Sequence, residues 1–228
     1  MRRFALLVLG MGALVAVLAT AIATAAEGEM ATEVRFGPKG LSLRQDWTGP
    51  AHPPAERELQ IELDKNLKVQ TKGLPACHPG PSIQSGASFE GACAGAQVGS
   101  GEEIVQVAFP ESMPINVPAK LRIFNGGERE GAITLFAYGK FSAPISGALI
   151  TKVVITRIHN GRLGRLADAQ FPEVAGGSGS VDSLRLTLSH GVVAARCTDG
   201  KLQAHFKVDF EDGTSAETMV TRACTSEG

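Results

Sequence analysis

The clearest alternation of apolar and polar residues lies near the C-terminal end of the chain. Between Leu202 and Phe210, apolar and polar side chains follow each other with a period of two. This period predicts a β-strand that buries one face and exposes the other. Asp212-Gly213 is a strong hairpin-turn signal, so residues 215–223 are expected to return as the partner strand. The side chains expected in the core are Leu202, Ala204, Phe206, Val208 and Phe210.

Shorter alternating or β-branched segments recur along the rest of the chain. In the first of them, Leu59, Ile61 and Leu63 are separated by polar residues. Turn signals separate the later segments, and residues 84–95 are predicted to form a short helix. Further strands are expected at residues 104–109, 121–123, 133–138, 150–158, 163–174 and 184–188. Strands separated by turns, with one short helix, predict an all-β fold, namely a single antiparallel β-sandwich or barrel-like domain over residues 56–226.

The segment 27–55 lacks this periodicity. Three proline-containing breaks interrupt it, at Gly37-Pro38, Gly49-Pro50 and Pro53-Pro54. We therefore expect an extended or poorly ordered lead-in before the domain. Trp47 is the exception in this segment, and we expect it to pack onto the domain.

Residues 1–26 have the pattern of a secretory signal peptide. A basic start, Arg2-Arg3, precedes an apolar run from Phe4 to Ile22, and small residues follow up to Ala26. This order of charged, apolar and small residues predicts export and removal of the segment. The alternative is an uncleaved anchor, because the run is close to the ~20 residues that a membrane span needs. After cleavage no stable membrane span is expected, and the mature protein is predicted to be secreted, either extracellular or in the cell envelope.

The four cysteines of the chain predict two disulfides in an oxidising compartment. Three pairings are possible, and we favour the nearest neighbours, Cys77–Cys93 and Cys197–Cys224. The alternative is a zinc site, but no pair of cysteines has C-x-x-C spacing, and His78 is the only hint of a further ligand. No metal site is therefore predicted.

Charge and motifs argue against several classes of function. The 22 basic and 23 acidic residues leave no positive surplus for a phosphate backbone, so no nucleic-acid partner is expected. The five histidines form no H-E-x-x-H pair, and no serine lies in a G-x-S-x-G elbow. His205 and the Glu102-Glu103 pair are expected to be solvated. We predict no catalytic or cofactor-binding residue and no cofactor.

Two groups of motifs frame the predicted domain. The first consists of Gly73-Leu74-Pro75-Ala76-Cys77, Ile83-Gln84, Cys93 and Gln97-Val98-Gly99-Ser100-Gly101, and the second lies between Ala195 and Cys224 and has the form AxC…FxDGT…RxC. Together they resemble an uncharacterised family of exported actinobacterial proteins, although Gln97 stands where that family has a more apolar residue. The resemblance covers roughly residues 57–224. It implies export and disulfide bonds, and it carries no catalytic residue.

These features predict a secreted, non-enzymatic binding or structural module of the cell envelope or extracellular space. Its partner would be an envelope component or an extracellular protein. Two alternatives stay open, a secreted hydrolase on a β scaffold and a carrier of small apolar ligands. Converging His, Asp and Ser side chains in a cleft would favour the hydrolase, a large apolar cavity the carrier, and a filled core the binding module.

Overall fold

The computed structural model describes residues 21–25, 28–37, 40–49, 53–79, 86–108, 113–172, 178–189, 191–196 and 198–224. Most of these residues form β-strands, and one short helix, α1 (Gly86–Cys93), is followed by a 3₁₀ turn at Ala94–Ala96. The strands are β1 (Ala21–Ala25), β2 (Gly28–Gly37), β3 (Gly40–Thr48), β4 (Glu56–Asp64), β5 (Leu67–Val69), β6 (Gln97–Ala108), β7 (Ile115–Arg129), β8 (Ala132–Phe141), β9 (Gly147–Asn160), β10 (Leu163–Gln170), β11 (Ser178–Ser189), β12 (Val193–Ala195), β13 (Lys201–Phe210) and β14 (Ser215–Ala223).

Twelve of these strands form one antiparallel sheet in the order β1-β2-β3-β11-β6-β7-β8-β9-β10-β4-β13-β14. The two ends of the sheet meet, because β1 runs alongside β14. Arg222 of β14 also reaches the neighbouring strand β2, where its Nε donates to the Val34 carbonyl at 2.6 Å. The sheet is therefore a nearly closed barrel. The predicted all-β fold with one short helix is confirmed, in its barrel-like form.

Period-two alternation gives each strand of the barrel an inner and an outer face. On β7, Ile123 packs in the interior with Leu135 and Ile155. The next residue, Phe124, packs outside the barrel against Phe89 of α1. Successive side chains of a strand point to opposite faces. Ile123 therefore packs in the barrel interior, and the adjacent Phe124 packs in the outer cluster beneath α1.

A small second sheet covers one end of the barrel. It consists of β5 and β12, which pair Leu67 with Ala195 and Val69 with Val193. Leu67, Val69 and Val193 join the interior cluster that contains Leu202 of β13. This short sheet therefore packs against the interior of the barrel at that end.

The short helix is attached to the outside of the barrel by aromatic packing and by a disulfide. The Phe89 ring stacks on Tyr138 with centroids 5.8 Å apart, and it meets Phe124 edge-on at 5.7 Å. Cys77 and Cys93 form the predicted disulfide, which ties the helix to the preceding loop. The helix predicted over residues 84–95 is thus present as α1, and residues 81–85 lie outside the described part of the chain.

The C-terminal hairpin agrees with its prediction. Burial alternates along β13, with Leu202, Ala204, Phe206, Val208 and Phe210 all buried. Lys201 pairs with Ala223, and Asp209 with Ser215, on either side of the Asp212-Gly213 turn. The hydrophobic period and the turn signal are both local, and for that reason they specify this hairpin without reference to the rest of the fold.

The predicted lead-in, residues 27–55, contains two strands of the barrel. Strands β2 and β3 pair with each other from Glu29–Thr48 to Gly37–Gly40, and β3 then pairs with β11. The sheet thus begins before residue 56. Trp47 packs with Met30, Val208 and Phe210 in the interior, as expected for a residue that packs onto the domain.

The second predicted disulfide, Cys197–Cys224, stays a prediction, because Cys197 lies outside the described residues. The surrounding backbone brings the two segments together, since the Cys224 N–H donates to the Gly200 carbonyl at 2.9 Å. Strand β12, just before Cys197, pairs with β5 and not with β13. Residues 193–195 therefore belong to the small sheet and not to the barrel, and the chain returns to the barrel only at β13.

Candidate functional site

A cavity of about 230 Å³ lies inside the barrel. Its lining is mostly aliphatic and comes from β3, β4 and the strands β6–β11. At one end it reaches Val69 and Val193 of the small sheet, and at the other it reaches Phe171, Pro172 and Gly179. Pro172, at this second end, is exposed to solvent.

Glu103 brings a carboxyl group into this apolar space. It lies on the same face of β6 as Val105 and Val107, which are buried in the interior. Gly139 of β8 leaves room for the side chain, because a Cβ at that position would lie 2.8 Å from Glu103 Oε1. No described residue donates a hydrogen bond to the carboxyl group, and burial raises the pKa of Glu103 to about 7.

The expectation that Glu102 and Glu103 are both solvated is therefore wrong for Glu103. Glu102 is exposed, and its Oε1 accepts a hydrogen bond from Arg185 at 3.2 Å. The two neighbours point to opposite sides of β6. The signal that could have identified Glu103 was its spacing of two residues from Val105, but the exposed Ile104 gave the segment the look of a continuous apolar run.

Glu56, at the start of β4, supplies a second carboxyl group and is only 7% exposed. A β-bulge decides its direction. On the β4–β13 ladder, Asp209 pairs with Glu58, whereas the next residue of β13, Phe210, pairs with Glu56. The skipped residue, Arg57, changes the parity of the strand, so Glu56 faces inward although Glu58 is on the polar side. No local pattern in the sequence marks this bulge.

The environment of Glu56 holds its carboxyl group in the protonated form near neutral pH. Burial, together with the nearby charge of Glu103, raises the pKa of Glu56 to about 8, and a hydrogen bond from the Val181 N–H opposes this rise. Val181 lies at a second irregularity, where the β11–β6 register shifts between Val181 and Ser183. Two bulges therefore bring β4 and β11 into contact across the barrel.

Two neutral polar side chains complete the lining. Gln45 and Thr151 are each 6% exposed and face the cavity. No hydrogen bond joins either side chain to another described residue. Gln45 pairs with Leu184 on one side, and Glu103 pairs with Leu184 on the other, so Gln45 and Glu103 are two strands apart on the inner face.

The carboxyl pair predicts a stability that falls as pH rises from 5 to 8. In the unfolded chain a glutamate ionises near pH ~4.3, whereas Glu103 and Glu56 stay protonated in the fold up to pH of about 7 and 8. The folded state then binds more protons than the unfolded state, so raising the pH favours unfolding. We expect the free energy of unfolding to drop over this interval by roughly 2–3 kcal/mol from Glu103 alone and by more with Glu56 included, measured by urea denaturation.

A double variant tests the origin of this effect. Glu56→Gln/Glu103→Gln is expected to show a much flatter pH dependence between 5 and 8, because the titrating groups are gone. Glu102→Gln, the exposed neighbour, should keep the wild-type slope. If the double variant lost as much unfolding free energy between pH 5 and 8 as the wild type, the pH dependence would have to come from other groups.

The three histidines in the described ranges, His78, His159 and His205, lie outside the cavity lining. No histidine, cysteine or serine lines the cavity among the described residues, and they contain no cluster of three or more potential metal ligands. His205 was expected to be solvated, but its side chain is 24% exposed and contacts two carboxylates. Its Nδ1 lies 3.0 Å from Glu62 Oε2, and its Nε2 lies 3.5 Å from Glu217 Oε2.

A polar cleft outside the barrel involves the loop of the Gly73–Cys77 motif. Lys72, His78 and Arg129 border it, together with Asn125. The Asn125 side chain donates to the Pro75 carbonyl at 2.8 Å and accepts from Gly127 N–H at 2.8 Å. Asn125 and the motif thus hold the loop against β7, which indicates a structural role for this part of the chain.

The other motifs are also explained by the backbone. A Cβ at Gly101 would lie 2.1 Å from the Arg185 carbonyl oxygen of β11, so the glycine permits close pairing of β6 with β11. In the hairpin motif, Asp212 accepts from the Thr214 N–H at 2.8 Å, and Gly213 has a positive φ of 84°. None of these motif residues lies in the cavity lining among the described residues.

Comparison with known proteins gives no match to any family model, curated protein or solved structure. The resemblance to exported actinobacterial proteins therefore stays a prediction. None of the helices in the described ranges has the length and hydropathy of a membrane-spanning segment. The candidate site is thus defined by the geometry of the barrel alone.

Proposed function

We propose that this protein is an exported, non-enzymatic binding protein that carries a small, largely apolar molecule inside its barrel. The observation that supports this function is the interior cavity of about 230 Å³ with its aliphatic lining. An engineered apolar cavity of ~150 Å³ is large enough to bind benzene, so this cavity can accommodate a somewhat larger molecule. Of the functions considered from the sequence, the carrier is the one that requires such a space.

The proposal includes export through residues 1–26 and a location outside the cytoplasm, either extracellular or in the cell envelope. Removal of this segment would also remove β1 (Ala21–Ala25), so the mature barrel would close between β14 and β2, where Arg222 donates to the Val34 carbonyl. The Cys77–Cys93 disulfide is compatible with an oxidising compartment. A second disulfide, Cys197–Cys224, and membership of the exported actinobacterial family belong to the same proposal. Export, the second disulfide and the family concern the location of the protein, whereas the cavity concerns its ligand.

The cavity can be tested with naphthalene, a rigid apolar probe that is somewhat larger than benzene. We expect the purified full-length protein to bind it saturably at one site, as followed by naphthalene fluorescence. Val153→Trp should weaken this binding at least tenfold, because Val153 lines the cavity and the larger side chain would occupy it.

Lys152→Trp is the matched control, since Lys152 is the exposed neighbour of Val153 on β9. It introduces the same side chain on the outer face and should leave naphthalene binding unchanged. The absence of saturable binding to the wild-type protein would refute the carrier function, as would equal affinities in the two tryptophan variants.

A further inference from the structure

We propose that the molecule carried in the barrel is an amphiphilic amine, with its ammonium group at Glu103 and Glu56 and its apolar body against the aliphatic wall. This inference rests on the proposed carrier function, because it names the class of ligand for the same cavity. It follows from the chemistry of the few polar groups in the lining.

The polar groups that line the cavity in the described ranges include two carboxyl groups and no cationic side chain. Glu103 and Glu56 are the carboxyl groups, whereas Gln45 and Thr151 can each donate as well as accept a hydrogen bond. No lysine, arginine or histidine lines the cavity in the described ranges. An ammonium group fits this lining, because it brings hydrogen-bond donors and the charge opposite to that of an ionised carboxylate.

Three of these four polar groups have no hydrogen-bond partner among the described residues, whereas Glu56 accepts from the Val181 N–H. The Gln45 and Thr151 side chains are more than nine-tenths buried, and neither makes a hydrogen bond among the described residues. Glu103 is likewise without a hydrogen-bond donor in the described part of the chain. The oxygens of these three side chains can therefore accept hydrogen bonds from a ligand in the cavity.

The strand register places the acceptors around one region of the cavity. Gln45 and Glu103 flank Leu184 on the inner face, which puts their strands about 9.6 Å apart. Glu56 is close enough to Glu103 to be affected by its charge. An ammonium group with three N–H donors can contact carboxylates from different strands at once, whereas a hydroxyl group has a single donor.

The binding of an amine would also offset the free-energy cost of ionising the buried carboxyl groups. Burial in the barrel favours their neutral forms, and an opposite charge nearby favours ionisation. An alkylammonium stays protonated up to a pH of about 10, as a lysine does. Glu56 and Glu103 are the titratable side chains of the described lining, so amine binding should strengthen as pH rises from 5 to 8.

Three probes with the same six-carbon chain and different head groups test this inference: n-hexylamine, 1-hexanol and hexanoate. Their affinities are measured by displacement of naphthalene at pH 8. We expect n-hexylamine to bind at least tenfold more tightly than 1-hexanol, and hexanoate to bind most weakly because it adds a third carboxylate. At pH 5 the preference for the amine over the alcohol should fall at least fivefold.

Glu103→Gln and Glu102→Gln form a matched pair of variants on one strand. Glu103→Gln should reduce the preference for n-hexylamine over 1-hexanol to about one while it still binds naphthalene, which shows that the cavity is intact. Glu102→Gln, on the exposed side, should retain the wild-type preference. Glu56→Gln is expected to lower the preference as well.

The outcomes separate the ligand class from the carrier function. Binding of naphthalene with 1-hexanol or hexanoate as tight as n-hexylamine would overturn the amine assignment and leave the carrier intact. An amine preference that survives in both Glu103→Gln and Glu56→Gln would also overturn it. Failure of naphthalene and all three probes to bind would overturn the carrier function itself.

Discussion

Asp64→Ala is expected to lower the free energy of unfolding by about 3 kcal/mol or more, because it removes a fully buried carboxylate that joins three segments. Asp64 Oδ2 lies 2.6 Å from Arg162 Nε, and the carboxylate also accepts from Asn66 N–H at 2.9 Å and Gln203 N–H at 3.0 Å. Without Asp64, the backbone donors at the ends of β4 and β13 lose their acceptor. Urea denaturation would measure the loss.

Asp199→Ala serves as the control for Asp64→Ala. Asp199 binds the same guanidinium, with Oδ1 3.0 Å from Arg162 Nη2, but it is exposed to solvent. Water can replace an exposed partner and cannot reach Asp64, so Asp199→Ala should cause a much smaller shift of the denaturation midpoint. Equal shifts in the two variants would mean that burial of Asp64 does not determine its contribution.

Phe206→Ala is expected to cost about 3–5 kcal/mol, the usual range for truncation of a core phenylalanine. Phe206 is 4% exposed and packs where β13 faces β2 and β3, against Val34 and Leu43. Its removal would leave a void between the two ends of the sheet, where the barrel closes. The change in unfolding free energy can be measured by urea or guanidinium denaturation.

Lys207→Ala, at the next position of β13, should leave the denaturation midpoint almost unchanged. Lys207 is on the outer face, and its Nζ lies 2.9 Å from Asp209 Oδ2. Exposed ion pairs of this kind contribute little to stability. A loss from Lys207→Ala as large as that from Phe206→Ala would contradict the assignment of the two faces.

The residues of the candidate site differ in how far the sequence reveals them. Glu103 shares the period of Val105, so its inward direction is encoded locally, but the exposed Ile104 hides this period within an apolar run. Glu56 has the parity of the outward residue Glu58, and only the bulge at Arg57 turns it into the barrel. A bulge depends on the pairing of two distant strands, which no window of one strand contains.

The same distinction applies to the strands before residue 56. Proline and glycine breaks correctly separate β2, β3 and β4, but they also made the segment look unstructured. Its residues become a sheet because β11, more than 120 residues later in the chain, offers β3 a complete edge from Ser183 to Ser189. Pairing at such a distance is decided by the closure of the barrel and not by local propensity.

The sequence by itself determined the all-β class, the C-terminal hairpin, the short helix and the Cys77–Cys93 disulfide. Each of these depends on a period, a turn signal or a pairing between near neighbours in the chain. Only the tertiary structure decided that the sheet closes on itself, that its interior leaves a cavity, and that Glu56 and Glu103 both line it. Those features depend on the register between strands that are far apart in sequence, because register sets which side chains share the interior and how completely they fill it.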